Sequence, residues 1–301
     1  MVNQLPPSFE FDIEKWKSLF PIARFPLDER IGIVGPGDLA RIDQIREKAF
    51  QSDDPTIPTD VFVLALGEAP RRDVTKIGGL PYRPSSIAWP TSNDGKPMTF
   101  LVQFRFVESK EILPPLPGDV MLVFVKDIDT EPSYYFFEWW PIGIDDLIQK
   151  DELPHSDWNF VNCYGIRHRT VDYSFPDLNL AKEKLSSKVS KSPSGWGKSW
   201  WPSMICWLHG LKIGGVPSWL DLEDPSIRHY SGKKLLCSLP VIVPAYNRAF
   251  PWINHPDPIR SVESCLSPEH SLFLYDGFCI YFFLQSDNGK YKGISAYYQI
   301  W

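Results

Sequence analysis

Lys-Ile-Gly-Gly-x-Pro occurs twice in this 301-residue chain, as KIGGLP from Lys76 and KIGGVP from Lys212. A Gly-Gly step admits positive φ, and a proline two residues later fixes φ and removes a donor, so the backbone turns sharply and leaves extended. Each copy therefore predicts a structural corner between strands, one on Gly78, Gly79 and Pro81 and the other on Gly214, Gly215 and Pro217. Ile77 and Ile213 are placed to anchor the corners in the core, with Trp89 and Trp219 downstream as covers. A structural corner explains the pattern better than a ligand loop used twice. Two copies, each followed by apolar runs, predict an internal duplication rather than a solenoid, which needs several repeats.

The runs between these breakers predict strands: VFVLAL at 61–66, TFLVQFRF at 99–106, VMLVFV at 120–125 and SYYFFEWW at 133–140. Near the end, FCIYFFLQ and KYKGISAYYQIW flank Asn288-Gly289, a strong hairpin signal. Helices are predicted at 9–20 and 38–50, the second capped by Asp38 with Leu39, Ile42, Ile45 and Ala49 on one face, and a short surface helix at 178–191. With 29 prolines and strands dominating, the expected fold class is α+β, β-rich, mainly antiparallel sheet with two related halves and N-terminal helices packed on it. The expected organisation is a helical segment at 1–59, a first β-rich half at 60–177, a surface helix and flexible loop at 178–199, and a second half at 200–301.

The opening residues MVNQLPPSFEFD lack the basic start and apolar run of a secretory signal, and no run approaches the length of a membrane helix, so a cytoplasmic location is expected. Five widely spaced cysteines without a C-x-x-C pair fit buried thiols in a reducing compartment. Residues 1–150 hold 16 Lys+Arg against 23 Asp+Glu, net −7, and the remainder 15 against 14, net +1. That balance, without a cluster of basic residues, argues against nucleic acid and leaves a basic protein as a partner.

Motifs for cofactors and catalysis are weak. Gly35-Pro36-Gly37-Asp38-Leu39-Ala40 fits a dinucleotide fingerprint formally, but Asp38 would put negative charge where a pyrophosphate sits, and no crossover helices separate the later strands. Gly197-Lys198-Ser199 lacks the first glycine of a phosphate loop, since Ser192 stands there. Cys206-x-x-His209, with Cys237 or Cys265 and His270 downstream, has no second close ligand pair to make a zinc site. No catalytic residue, metal or cofactor is expected. Trp139-Trp140 and Trp200-Trp201 head a surplus of tryptophan, a residue enriched in binding hot spots. The candidate partner-binding residues are Trp139, Trp140, Asp145, Asp146, Asp151, Glu152, Asp221, Glu223 and Asp224.

The stretch KIGGLPYRPSSIAWPTSNDGKPMT at 76–99 leading into FLVQFRF, with VMLVFVKD, KIGGVPSWL and YDGFCIYFFL, resembles the YwqG-like family, a bacterial domain of unknown function. Gly78, Gly79, Pro81, Tyr82, Trp89, Pro90, Gly95, Lys96 and Pro97 carry the resemblance. The second half departs from it: Ser218 stands where the family has an aromatic residue. The resemblance implies a β-rich fold of two related halves without established catalytic residues. It also implies an immunity protein that neutralises a cognate toxin acting in the cytoplasm, a nuclease or an NAD-consuming enzyme. The alternative is a housekeeping or stress-related small-molecule-binding protein or an uncharacterised enzyme of the same family.

Overall fold

The computed structural model describes residues 12–14, 17, 36–66, 68–126, 135–154, 162–175, 178–186, 205–219, 229–230, 232–240, 242–244, 271–273, 277–287 and 290–300. Its main element is one antiparallel sheet. The strands are β1 (Thr56–Leu66), β2 (Lys76–Ile77), β3 (Thr99–Arg105), β4 (Val120–Val125), β5 (Tyr135–Trp140), β6 (Cys163–Tyr173), β7 (Lys212–Gly214), β8 (Leu235–Pro240), β11 (Gly277–Asp287) and β12 (Lys290–Ile300). A separate pair joins β9 (Ile242–Pro244) to β10 (Ser271–Phe273).

The ten strands run in the order β12-β11-β8-β7-β1-β6-β2-β3-β4-β5. Outward from the central β1–β6 pair, each direction meets a Lys-Ile strand of two or three residues, then one strand, then two more. The first strand of each series lies beside the other series: β7 pairs with β1, and β2 with β6. A wholly antiparallel sheet has none of the parallel crossovers that a dinucleotide fold requires, which removes the reading of residues 35–40 as a fingerprint.

The apolar runs are strands covered on both faces. All six residues of β4 are buried. Met121, Val123 and Val125 enter the main core, while Val120, Leu122 and Phe124 enter a second cluster with Tyr82, Met98 and Phe100, against which Trp89, Trp140, Ile144 and Leu147 pack. β11 divides alike: Ile280, Phe282 and Leu284 face the main core, and Cys279, Tyr281 and Phe283 face a third cluster with Trp219, Tyr230 and Tyr297 packed against it. The sheet curls until its ends touch, nearly a barrel. Phe282 lies 6.3 Å from Phe104, 5.5 Å from Tyr135 and 5.7 Å from Phe137. Trp139 of β5 meets Tyr291 of β12 at 5.9 Å between ring centroids.

Two strands differ from the expectation. β1 begins at Thr56 rather than Val61, because Pro58 lies one residue past the end of the β7 pairing, where a missing N–H costs no ladder bond to that strand. β6 is a central strand whose Arg167, Arg169 and Asp172 hide its alternation; Arg169 Nε and Nη2 donate to the two Asp60 oxygens at 2.5 and 2.9 Å, balancing a buried carboxylate.

Two α-helices are described, α1 (Pro36–Ala49) and α2 (Leu178–Ser186). α1 starts at Pro36, a residue suited to a first helical position, so Asp38 falls within its first turn instead of preceding it. Leu39, Ile42, Ile45 and Ala49 are buried in the cluster that holds Val61 and Val63. Of the helix expected at 9–20, only Asp12, Ile13, Glu14 and Lys17 are among the described residues, the last three helical.

Phe282 joins β3, β5 and β11 across the curled sheet, so its removal tests the closure. Phe282→Ala is expected to lower stability by about 3–5 kcal/mol, read from urea unfolding monitored by circular dichroism.

Candidate functional site

Each Lys-Ile-Gly-Gly corner closes a ring around one carboxylate. Gly78 and Gly79 have φ of 63° and 69°, which turns the backbone of Leu80 toward the Lys76 side chain. Lys76 Nζ donates to Glu68 Oε1 at 3.0 Å and to the Leu80 carbonyl, while the Leu80 N–H donates to Glu68 Oε2 at 3.2 Å. In the second corner Gly214 and Gly215 have φ of 70° and 73°. Lys212 Nζ donates to Asp172 Oδ2 at 2.7 Å and to the Val216 carbonyl at 2.5 Å, and the Val216 N–H donates to Asp172 Oδ2 at 2.8 Å. The residue opposite each lysine repeats too. Gln103 Nε2 donates to the Val74 carbonyl at 2.7 Å and Ser238 Oγ to the Gly210 carbonyl at 2.9 Å, each two residues before its lysine.

Pro81 is buried beyond the first corner and Pro217 half-buried beyond the second. Ile77 and Ile213 are both buried. Burial pushes both lysines below the usual ammonium range, opposed by the carboxylate beside each. The second ring is the more enclosed: Asp172 and Lys212 are fully buried, whereas Glu68 is 37% exposed. Asp172 is also braced by the Leu208 N–H at 2.8 Å and lies 3.8 Å from Arg46, whose guanidinium donates to the Ile205, Val171 and Cys206 carbonyls. An ion pair out of water persists only when its remaining valences are satisfied, and here the backbone of the corner satisfies them. These polar atoms face one another across each Gly-Gly step.

The core histidine and cysteines are enclosed. His209 Nδ1 meets Ser218 Oγ, and burial, with the Lys212 charge nearby, pushes the imidazole down to about 3. Burial pushes the thiols of Cys163, Cys206 and Cys279 up to about 12, which disfavours the thiolate that a metal or an electrophile needs. Among the described residues, the one acidic trio within ligating distance is Glu14, Asp43 and Glu47. Lys17 Nζ lies among its members at 3.0, 2.7 and 2.6 Å and supplies the positive charge.

The surface outside β3, β4 and β5 is different. Loop residues 84–88 and 141–152 are joined by the Pro84–Leu147 bridge, by the Ser85 N–H donating to the Asp146 carbonyl at 3.0 Å, and by Ser85 Oγ donating to Asp146 Oδ2 at 2.7 Å. Beneath them lies fully buried Arg83. Its Nε and Nη2 donate to Glu138 at 2.7 and 3.1 Å, and its Nη1 and Nη2 to the carbonyls of Ile87 and Ala88 at 2.7 and 2.5 Å. Its guanidinium carbon stands 5.6 Å from the Trp89 ring centroid. Tyr82 Oη accepts from the Gly143 and Ile144 N–H groups at 2.9 and 2.8 Å. Both loops are thus fixed from inside.

Strand alternation separates the tryptophan pair. Trp139 turns to the main core, 5.5 Å from Phe106, while Trp140 turns outward and donates to Glu138 at 3.2 Å. Asp145, Asp146, Asp151 and Glu152 are exposed in residues 141–152. Glu152 accepts from the Gln149 N–H at 2.6 Å and closes the short 3-10 turn at Lys150–Glu152. Asp221, Glu223 and Asp224 lie outside the described residues, as do Gly197-Lys198-Ser199, Cys265 and His270. Sequence reasoning missed Arg83, Glu138, Ile87, Phe136 and Ile142. The alternation of Phe136, Glu138 and Trp140 along β5 was the available signal for part of that set.

Residues 75–158 match a family model described as Domain of unknown function (DUF1963). No curated protein gives a significant match. The matched segment is similar to that family over the first corner, the strands β2 to β5 and both loops that cover them.

Two predictions follow from these rings and from His209. A Cβ on Gly215 would stand 2.2 Å from Asp172 Oδ2 and at positive φ, whereas one on Gly95, also at positive φ, meets nothing within 4 Å. Gly215→Ala is therefore expected to lower the melting temperature several-fold more than Gly95→Ala in calorimetry. Because His209 is held neutral in the fold down to about 3 against an ordinary value of 6.5, the unfolded chain binds the extra proton first as pH falls. Its contribution is present above 6.5 and is lost progressively as pH falls toward 3. Unfolding titrations should show His209→Gln flattening that loss.

Proposed function

We propose that this chain is a YwqG-like protein of two related halves with its N-terminal helical segment docked on the sheet, and that it is an immunity protein. In this reading it binds a basic toxin that acts in the cytoplasm and neutralises it stoichiometrically. The observation that carries the reading is the acidic group Asp145, Asp146, Asp151 and Glu152, exposed with Lys150 as the lone basic residue in residues 141–152 and following Trp140 on a surface fixed from inside. Carboxylates at a rim steer a basic partner, and a fixed surface loses little entropy on binding. The matching rings at the two corners, and a strand order that repeats outward from β1–β6, support the two related halves. No helix among the described residues is long and apolar enough to cross a membrane.

Members of the YwqG-like family are encoded beside toxin genes, so the test is association of the purified protein with the purified product of the adjacent gene. An equimolar complex is expected that abolishes the toxin's activity, with an association rate that falls about tenfold or more from low to physiological salt. No complex at low ionic strength would reject the reading.

A further inference from the structure

Five large hydrophobic side chains among the described residues are exposed, and three of them, Ile87 (45%), Phe136 (44%) and Ile142 (39%), belong to the surface outside β5. Arg83 brings Ile87 to it, since its guanidinium binds the Ile87 carbonyl and Glu138 together, and Glu138 shares the outer face of β5 with Phe136 and Trp140. Phe136 packs 6.2 Å from Phe124, and Phe124 meets Trp89 at 5.4 Å, so the exposed ring continues the second apolar cluster to the surface. Ile142 follows at the end of the strand, its N–H donating to Asp119 Oδ2 at 3.0 Å. The carboxylates of Asp145 and Asp146 come next, tied to the 84–88 loop through Ser85. At the Phe136 end, Lys126 is paired with Asp94 at 3.4 Å. Phe136 and Ile142 thus flank Glu138 and Trp140 on the outer side of β5, and the Ile142 end carries Asp145 and Asp146 in excess of Lys110, which is paired with Asp119 at 2.7 Å.

Resting on the immunity reading, we propose that Ile87, Phe136 and Ile142 are the apolar centre of the partner interface, with Asp145, Asp146 and Asp151 as its steering rim. The partner it fits is a folded protein presenting an apolar patch beside a run of Lys and Arg. Three facts select this occupant. Exposed apolar side chains gathered on one surface mark an interaction site where scattered ones do not. The negative end complements a basic partner. Arg83 holds the 84–88 loop in place through its carbonyls, so the surface is arranged before binding. The two exposed hydrophobics elsewhere, Ile57 on β1 and Leu180 on α2, provide the contrast.

The experiment measures binding of the purified adjacent-gene product to the wild type, to Phe136→Ser, to Ile142→Ser, to Asp145→Asn with Asp151→Asn, and to Leu180→Ser, with the melting temperature of each. The expected result is that Phe136→Ser and Ile142→Ser fold as the wild type does and raise the dissociation constant about tenfold or more. The Asn pair should slow association at low salt, the difference closing at high salt. Leu180→Ser should bind unchanged. If the wild type binds and the two apolar variants, folded, bind equally well, the interface lies elsewhere and this proposal is overturned while the immunity reading stands. If the wild type forms no complex, that reading fails and this proposal with it.

Discussion

A buried lysine facing a carboxylate at each Gly-Gly corner is the constraint on which the sheet depends. An ammonium removed from water needs both a counter-charge and hydrogen-bond acceptors. Lys76 and Lys212 obtain them from Glu68 and Asp172 and from the carbonyl four residues ahead. The ring closes only because two consecutive glycines reverse the chain with no Cβ in the carboxylate's place. Each corner then sends the following segment across the outer face of its strands, where Trp89 covers the second cluster and Trp219 the third. The corner therefore converts two or three residues of strand into a covered sheet.

The two corners are not alike. Asp172 is wholly enclosed and reinforced by Leu208 and Arg46, whereas Glu68 reaches solvent. The partly open corner lies in the segment similar to the family of unknown function, and so does the apolar and acidic surface outside β5. The enclosed corner adjoins His209 and Ser218, which contact each other within the core. The second corner is thus closed to water, while Ile87, Phe136 and Ile142 remain exposed.

Much of the framework was legible in the sequence because strands buried on both faces read as continuous apolar runs, as β4 and β11 do. The positive φ at Gly78, Gly79, Gly214 and Gly215 was legible because Gly-Gly before Pro admits it locally. β6 was not, since its alternation is written in Arg167, Arg169 and Asp172, whose role is visible only once Asp60 and Lys212 are beside them. Trp139 and Trp140 were read as one surface pair, although adjacent strand residues face opposite ways and β5 has an interior face. Arg83 was missed for a related reason. A single arginine in a loop carries no local sign that it is buried, because its partner Glu138 stands far off in the chain.

The pairing at the centre of the sheet sets an order for assembly during synthesis. β1 ends at Leu66, but its neighbours begin at Cys163 and Lys212, so neither of its edges is paired until more than half of the chain has emerged from the ribosome. Until then the nascent chain presents an unpaired strand to whatever is nearby. β2, β3 and β4 can already pair in sequence, yet β2 itself waits for β6. Pairing of β1 is thus a late step, and the interval before it is when aggregation or chaperone capture competes.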